Sequence, residues 1–325
     1  MENKGFRQLL KESFKSDDTE EWLDVWFTRP IGLALALACG KAGLTPNMIT
    51  IAGIVIGAVG GWMFHYSDLW HNVVAVVLLM VANFCDSADG QLARLTNQKT
   101  VLGRLLDGFA SDVWFFFIYV AIVCRLWHEP IPLIGTEWGW WGFVPCALAG
   151  LVCHSTQCAL ADYYRNIHLW FLKGDGGSEL DSYAKEQALY DELKRQGWTF
   201  ERLYHFFYKG YCRKQERLTP RFQAFFKAYR QDNSLFESVA LRAHASFSAE
   251  QSVALRAQFL SGSRPLMPLT NILTHNTRAF ALFVAALINI PLLYPLFEIV
   301  VLHPLYWYMR QRHERLCEHL KTKIQ

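Results

Sequence analysis

Four aspartates lie within the 27 positions from 86 to 112, and they are the residues of this chain best suited to chemistry. They are Asp86, Asp89, Asp107 and Asp112. An apolar run of about 17 residues, roughly long enough to cross a bilayer, precedes them, and a second apolar run follows. A carboxylate at the edge of hydrocarbon is destabilising unless it is paired, hydrated or bound to a cation. The stretch therefore predicts a cation-binding site near the ends of two membrane helices.

The spacing places these carboxylates on defined helix faces. Asp86 and Asp89 are three apart and share one face, while Gly103 and Asp107 are four apart and share another. Antiparallel packing would gather both faces into a cluster of oxygen ligands, which suits Mg²⁺, Mn²⁺ or Ca²⁺. Arg94 beside such a metal suggests a phosphate ester or diphosphate, because metals neutralise charge during phosphoryl transfer. From these residues alone, an ion-coupled transporter or a structural metal site remains an alternative.

The composition is that of a membrane protein. Of the 325 residues, 52% are hydrophobic and only 19% are charged, and the apolar residues are segregated into long runs. The net charge of +3 is too small to indicate a nucleic-acid partner. The eight cysteines show no CxxC spacing, which favours small buried side chains in a reducing compartment over a disulfide framework.

We predict an all-α integral membrane protein with six transmembrane helices, an N-terminal interfacial helix and a cytoplasmic helical insertion between helices 4 and 5. The predicted segments are 1–45, an amphipathic or interfacial region; 46–165, transmembrane helices 1 to 4 with the aspartates; 166–276, the insertion; and 277–325, transmembrane helices 5 and 6 with a basic tail. Glycines three to four apart in the first span predict close packing against its neighbours.

The distribution of Lys and Arg predicts the orientation. Basic residues are nearly absent from the connections near 65–71, 126–139 and 291–296, and they are common in the other connections and at both ends. By the positive-inside tendency, both termini and the aspartate site are expected in the cytoplasm. In the basic tail, His313 and Cys317 are expected to be solvated and not to bind a metal.

The insertion at 166–276 has no assigned role in this prediction. It could cap a cytoplasmic cavity, bind the acceptor or mediate a dimer contact. Two basic and aromatic runs within it, at 203–209 and 222–229, could cover the membrane surface or pack on each other.

The aspartate stretch resembles the signature of the CDP-alcohol phosphotransferase (CDP-alcohol phosphatidyltransferase) family. Seven of the eight signature positions agree: Asp86, Asp89, Gly90, Ala93, Arg94, Gly103 and Asp107. The helix start that includes Asn47 and Thr50 also resembles the family's entry to its first helix. The resemblance covers about residues 30–165 and, by topology only, the last two spans. It does not account for the insertion.

The resemblance implies an enzyme of phospholipid synthesis that moves the phosphoalcohol group of a CDP-alcohol to a hydroxyl and releases CMP. One or two Mg²⁺ or Mn²⁺ ions would be bound by Asp86, Asp89, Asp107 and Asp112. The CDP-alcohol and its phosphates would contact Asn47, Thr50, Gly90, Ala93, Arg94, Gly103 and, by weaker likeness, Arg165. A homodimer in a lipid membrane is also implied.

One position departs from the family pattern. The fourth aspartate of the signature falls four residues after the third, but position 111 is Ser111 and the aspartate is Asp112. On a regular helix Asp112 lies about 140° from Asp107. We expect a π-bulge, eased by Gly108, to return Asp112 to the shared face, where it would act as the general base. Without a bulge, Ser111 occupies that place.

The expected donor is CDP-diacylglycerol, and the expected acceptor is a polar alcohol such as inositol, inositol phosphate, glycerol phosphate or serine. An alternative is a soluble CDP-alcohol donor with a lipid acceptor, either diacylglycerol or a ceramide. A non-enzyme, such as an ion-coupled transporter or a scaffold, could keep aspartates for ions but has no need of Gly90, Ala93 and Arg94 at this spacing.

Overall fold

A computed structural model describes residues 5–12, 16, 18–19, 21–98, 100–132, 134–239 and 249–324. Throughout these ranges the regular elements are helices, and no β-strand occurs among them. Four helices in this part of the chain are long and apolar enough to cross a membrane: Pro46–Met63, Leu69–Thr96, Leu102–Leu126 and Gly139–Lys173. The all-helical prediction is confirmed, and four of the six predicted spans have a matching helix.

The helices are numbered in chain order. They are α1 Phe6–Glu12, α2 Arg29–Lys41, α3 Pro46–Met63, α4 Leu69–Thr96, α5 Val101–Leu126, α6 Phe143–Ala147, α7 Ser155–Lys173, α8 Tyr183–Gln196, α9 Phe200–Leu218, α10 Pro220–Val239, α11 Ala249–Ser263, α12 Met267–Ile272, α13 His275–Leu287, α14 Leu293–Phe297 and α15 His303–Lys321. Three π-helical segments occur at Asp24–Thr28, Leu148–His154 and Glu298–Leu302. Single 3₁₀ turns lie at Gly139–Gly142, Asp175–Gly177 and Arg264–Leu266.

The chain forms two compact units, and the first comprises Met1–Ser155 with His275–Leu302. Its central helix is α3, which packs against both α4 and α5. A Cβ atom at Gly57 would lie 2.2 Å from Nε1 of Trp114 on α5, and that indole donates a hydrogen bond to the Gly53 carbonyl at 3.1 Å. The glycines of α3 therefore allow close helix packing, as their spacing predicts.

The helix expected just before the first span is present as α2, and it lies against α4. A Cβ atom at Gly32 would lie 2.4 Å from Oγ of Ser87, so the backbone of α2 at Gly32 packs directly against the Ser87 side chain of α4. Gln91 on α4 donates from Nε2 to the Arg29 carbonyl at 3.1 Å. These contacts fix the start of α2, and with it the preceding π-helical segment Asp24–Thr28, beside the aspartates of α4.

The second unit comprises Thr156–Thr274 with His303–Gln325, so α15 belongs to the same unit as the helices of the insertion. Helices α10 and α11 pack against α15. The expectation of a solvated tail at His313 and Cys317 is wrong, because both side chains are fully buried. His313 stacks on Tyr164 with ring centroids 3.8 Å apart, and Phe222 and Phe259 cover it. The four-segment division of the chain stays a prediction.

Candidate functional site

The turn between α4 and α5 places the aspartates opposite each other. Helix α4 ends at Thr96 and is followed by Asn97, whose φ of 55° is left-handed, and α5 starts at Val101 behind Thr100. The Thr100 Oγ1 accepts a hydrogen bond from the Gly103 amide at 2.9 Å, which satisfies one of the free N–H groups at the helix start. The short connection reverses the direction of the chain, and both helices pack against α3, so their signature residues lie at one end of the bundle.

Asp86 on α4 and Asp107 on α5 form the centre of the site. Their carboxyl groups are close enough to share a hydrogen bond, and the three charges that act most strongly on Asp86 are those of Asp107, Asp89 and Asp24. Carboxyl groups this close together disfavour each other's ionised form unless they share a proton or bind a cation. The arrangement is therefore suited to binding a cation.

Thr50 on α3 positions the third carboxylate. Its Oγ1 donates to Oδ2 of Asp89, and both side chains are buried. Asp107 and Arg94 also act electrostatically on Asp89. The hydroxyl of Thr50 thus fixes one oxygen of Asp89 beside Asp86 and Asp107.

Gly103 is required by the close approach of α5 to the start of α3. A Cβ atom there would lie 2.8 Å from Oδ1 of Asn47. The same Asn47 oxygen accepts a hydrogen bond from the Thr100 hydroxyl at 3.3 Å. Asn47 therefore packs against the first turn of α5, at the end of the bundle where the aspartates lie.

Gly90, Ala93 and Arg94 form the last turns of α4 before its end. Arg94 is exposed, and a Cβ atom at Gly90 would have only the Arg94 guanidinium within 4 Å, at 3.4 Å from one of its terminal nitrogens. This leaves open space over the backbone of Gly90, next to a planar cation that can bind phosphate oxygens in pairs.

The expected π-bulge is absent. Helix α5 is α-helical at every residue from Val101 to Leu126, and it packs against α3. Ser111 therefore shares the face of Asp107, and Asp112 lies about 140° away, with an exposed side chain. The three π-helical segments of the described chain lie elsewhere.

Arg165 lies on α7 in the second unit. Its assignment as a phosphate ligand stays a prediction.

Asp24 is a carboxylate near the site that the sequence analysis missed. The Asn276 amide on α13 donates from Nδ2 to Oδ1 of Asp24 at 3.0 Å and to Oε2 of Glu21 at 2.7 Å. Asp24 is outside the signature and comes near Asp86 only because α2 packs on α4. The available signal was its position as the last carboxylate before the first apolar helix.

The donor set fits a hard divalent cation. Within the residues that the structure describes, no three His, Cys, Asp or Glu side chains lie close enough together to hold a metal ion by themselves. However, Mg²⁺ in phosphate-processing sites is usually bound by one or two carboxylates and completes its shell with water and substrate phosphates. Asp86 and Asp107 face each other, with Asp89 beside them, and so provide the one or two carboxylate ligands that such a Mg²⁺ site needs.

A cavity of about 220 Å³ lies in the same unit, between the Asp24–Thr28 segment, α4 and α13. Its lining is mainly apolar and includes Phe27, Phe84, Phe280 and Phe283. His275 and Asn276 also line it, and Asn276 is the residue that contacts Asp24. One polar residue of the cavity, Asn276, therefore contacts Asp24, whose charge acts on Asp86.

These features define an all-helical membrane protein with a carboxylate site at one end of its first helices. The family model described as CDP-alcohol phosphatidyltransferase matches residues 43–169, so this part of the chain is similar to that family's domain. The resemblance predicted from the signature is confirmed. Every signature residue lies within the matched segment.

Three curated relatives share parts of this segment. The chain is 27% identical over 156 residues to the phosphatidylinositol phosphate synthase of Mycolicibacterium smegmatis, covering 47% of this chain and 61% of the relative. It is 37% identical over 77 residues to the archaetidylinositol phosphate synthase of Pyrococcus horikoshii, covering 24% and 37%. It is 31% identical over 109 residues to the CDP-diacylglycerol–serine O-phosphatidyltransferase of Bacillus subtilis, covering 33% and 55%. The chain thus spans between about a third and three-fifths of these relatives, and no solved structure matches it.

Proposed function

We propose that this protein transfers the phosphoalcohol group of a CDP-alcohol to a hydroxyl group, with release of CMP, in phospholipid synthesis. The observation that carries the proposal is the contact between Asp86 and Asp107, with Asp89 beside them, inside the segment that matches the family. The donor we propose is CDP-diacylglycerol, and the acceptor is a polar alcohol such as inositol, inositol phosphate, glycerol phosphate or serine. The names of the relatives, which include inositol phosphate and serine enzymes, support this choice.

In this proposal Asp86, Asp89 and Asp107 hold one or two Mg²⁺ or Mn²⁺ ions. A bound cation supplies neutralisation of the negative charge that develops on the diphosphate. Thr50 keeps Asp89 oriented through its hydrogen bond. Arg94 binds the diphosphate across the open space above Gly90.

The chemical step is an exchange at phosphorus. The acceptor oxygen forms a bond to the phosphorus that carries the donor's alcohol, and the bond from that phosphorus to the bridging oxygen breaks. CMP leaves with the bridging oxygen and its electron pair, and the acceptor's proton goes to a base on the enzyme. We propose Asp112 as that base, reached by a local change of α5 near Gly108 when substrate binds, with Ser111 as the competing position on the regular helix.

The apolar cavity supports a lipid substrate but fits two arrangements. Its phenylalanines can surround an acyl chain of CDP-diacylglycerol, or that of a diacylglycerol or ceramide acceptor that reacts with a soluble CDP-alcohol. The second arrangement is therefore kept as the alternative function.

We also propose six spans, with α13 and the run from α14 into α15 forming the last two, and with both termini and the site in the cytoplasm. Exposed tryptophans next to connections poor in Lys and Arg support the membrane boundaries, since Trp prefers the interface. They are Trp70, Trp140 and Trp141. A homodimer is proposed from the family likeness alone.

The test is CMP release by the purified protein with Mg²⁺, over a panel that pairs each CDP-alcohol with each acceptor. We expect release only with CDP-diacylglycerol and one polar alcohol, and complete loss in EDTA. Release only with a soluble donor and diacylglycerol or ceramide would establish the alternative. If no pair releases CMP while proteoliposomes carry a cation flux, the protein is a transporter and both enzyme proposals are wrong.

A further inference from the structure

The insertion contains a helical hairpin with a defined tip. Helices α8 and α9 pack against each other and are joined by Gly197, Trp198 and Thr199. Gly197 has a φ of 109°, which favours glycine, and Thr199 caps α9 by accepting from the Arg202 amide at 3.1 Å. The turn is therefore a built structure that holds Trp198 and the first residue of α9, Phe200, at the end of the hairpin.

The two aromatic side chains at this tip are exposed. Trp198 is 72% exposed and Phe200 is 70% exposed. Exposed aromatic residues that cluster on one surface generally mark a site of interaction. Trp198 and Phe200 are two residues apart in sequence and sit on a tip that the cap and the glycine fix, so they form a single exposed surface.

Basic side chains surround the aromatic tip. Lys194 and Arg195 are exposed in the last turn of α8, and the Arg202 guanidinium lies 5.7 Å from the Trp198 ring centroid. From position 194 to 202 there are three basic residues and one acidic residue, Glu201, while two further acidic residues precede this stretch at 191 and 192. Aromatic rings beside Lys and Arg are typical of helices that lie in the headgroup region of a membrane.

The other half of α9 is attached to α7 near the end of an apolar helix. Gln215 donates from Nε2 to the Ala159 carbonyl at 3.1 Å, and the Tyr211 hydroxyl donates to Oδ2 of Asp162 at 3.1 Å. Ala159 and Asp162 lie in the helical run Gly139–Lys173, which is long and apolar enough to cross a membrane. From Tyr211 back to Phe200 the helix rises about 16 Å, so the tip lies within that distance along α9 of a helix that is apolar enough to cross a membrane.

We propose that the α8–α9 tip binds the anionic surface of the bilayer in which the protein lies. Trp198 and Phe200 enter the headgroup region, and Lys194, Arg195 and Arg202 contact the phosphates of acidic lipids. The proposal assigns the insertion a membrane-attachment surface, and it does not depend on which reaction the first unit performs. A soluble protein partner is the competing occupant, and the excess of basic charge at the tip favours the lipid surface.

The experiment measures where Trp198 lies. The full chain is placed in nanodiscs of phosphatidylcholine, with or without about a third phosphatidylglycerol, a composition that gives an anionic surface. The fluorescence of the wild type minus that of Trp198→Phe gives the contribution of Trp198, and the substitution is tolerated because this side chain is exposed. Lipids brominated near the top of their acyl chains report membrane contact, and acrylamide reports access from water.

We expect the Trp198 contribution to be quenched by brominated lipid at least twofold more in anionic than in neutral nanodiscs, and to be shielded from acrylamide. The double substitution Lys194→Glu with Arg195→Glu should remove the difference between the two lipid compositions. Arg312→Glu with Arg315→Glu, the same charge change at exposed positions of α15, is the matched control and should leave it unchanged.

Trp198 fluorescence that ignores brominated lipid and stays open to acrylamide in anionic nanodiscs would overturn the proposal and leave the surface to a soluble partner. The proposal would also be overturned if both double variants lost the difference in quenching between anionic and neutral nanodiscs to the same extent. The effect would then depend on the total charge of the protein and not on the tip. A thermal unfolding midpoint for each variant confirms that the second unit is folded in every comparison.

Discussion

Two carboxylate sites in the first unit have opposite surroundings. Glu298, in the π-helical segment Glu298–Leu302, is fully buried and accepts hydrogen bonds from several donors on four elements. They are Arg278 Nε at 3.0 Å, Tyr119 Oη at 2.7 Å, Tyr294 Oη at 2.5 Å and His154 Nδ1 at 3.2 Å. Around Asp86 the strongest charged neighbours are instead three other carboxylates, those of Asp107, Asp89 and Asp24.

The surroundings of Glu298 indicate a structural role, whereas those of Asp86 support the proposed cation-binding role. The charge of Glu298 is compensated within the fold, so it holds α5, α13 and the two π-helical segments together and has no capacity left for a ligand. The charges around Asp86 repel one another, so the fold keeps them at a cost in stability, and under the proposed function a bound cation would relieve that cost. Substitutions at the two sites should therefore change different measured quantities.

The largest effect is expected for Asp107→Asn. Removing this ligand should lower CMP release by about 10³-fold, which corresponds to about 4 kcal/mol of transition-state stabilisation. In EDTA the thermal midpoint should not fall, because one repulsive charge has been removed. Mg²⁺ should raise the midpoint of the wild type and leave that of the variant unchanged.

Asp191→Asn, at an exposed carboxylate of α8, is the control and should behave as the wild type in both measurements. A variant of Asp107 that loses activity together with stability, and still responds to Mg²⁺, would show that Asp107 is a structural residue like Glu298.

Glu298→Leu should have the reverse signature. It leaves Arg278 buried without its carboxylate, which should lower the free energy of unfolding by about 3 kcal/mol. The folded fraction should retain its CMP release per molecule. Adding Arg278→Met should recover part of the lost stability, because the double variant lacks both members of the buried ion pair. Denaturant unfolding in detergent measures all three proteins, and a stable single variant would contradict the structural assignment.

The sequence predicts the carboxylate cluster around Asp86 better than it predicts the buried surroundings of Glu298. Asp86, Asp89 and Asp107 could be placed because the helix period converts their spacing into shared faces, and the glycines of α3 could be placed for the same reason. Glu298 could not, because only Tyr294 lies at a helical spacing from it, and its other partners come from the distant positions 119, 154 and 278. Asp24 was missed for a similar reason, because it reaches Asp86 through the packing of α2 on α4.

The failed expectation at Asp112 has a different cause. A one-residue offset in a signature can be absorbed by a bulge or by a change of residue, and the sequence pattern does not distinguish the two. In this structure α5 is a regular α-helix, so the offset is met by a change of residue, with Ser111 on the face of Asp107. The buried His313 was missed because its cover comes from α10 and α11, which lie far from it in sequence.

The base is tested by the pair Asp112→Asn and Ser111→Ala. If α5 changes locally on substrate binding, Asp112→Asn should lower CMP release by about 10²-fold while Ser111→Ala changes it little. Binding of CDP to the Asp112 variant should stay close to that of the wild type, because the base does not hold the nucleotide. If Ser111→Ala lowers CMP release more than Asp112→Asn does, Ser111 occupies the fourth signature position and Asp112 is not part of the site.

His313 extends the comparison to the second unit, where burial keeps an ionisable group neutral. Burial, with a smaller contribution from His168, lowers the pKa of His313 to about 3. Below pH 6.5 the unfolded chain gains a proton here that the folded chain does not, so stability should fall as the pH drops from about 7 towards 3. Between pH 7 and pH 5 the loss is about 2 kcal/mol.

His313→Gln should remove this part of the acid sensitivity, and other titrating groups cancel because both proteins contain them. Denaturant unfolding of each protein at pH 7 and pH 5 measures the difference. The same loss in wild type and variant would mean that His313 is already protonated in the fold.

The smallest effect is expected for Thr50→Val, which removes a hydroxyl and keeps the side-chain volume. Thr50 orients the carboxylate of Asp89. Under the proposed function Asp89 is a cation ligand and Thr50 is not, so loss of the hydroxyl should weaken the site without abolishing it. A hydrogen bond to a charged group contributes about 1.5 kcal/mol, and we expect CMP release to fall by about tenfold.

Because Asp89 is then freer to move, the concentration of Mg²⁺ needed for half-maximal activity should rise, and saturating Mg²⁺ should restore part of the rate. Thr50→Ser keeps the hydroxyl and should stay near the wild-type rate, whereas an equal, Mg²⁺-independent loss in both variants would place Thr50 with the packing residues of α3.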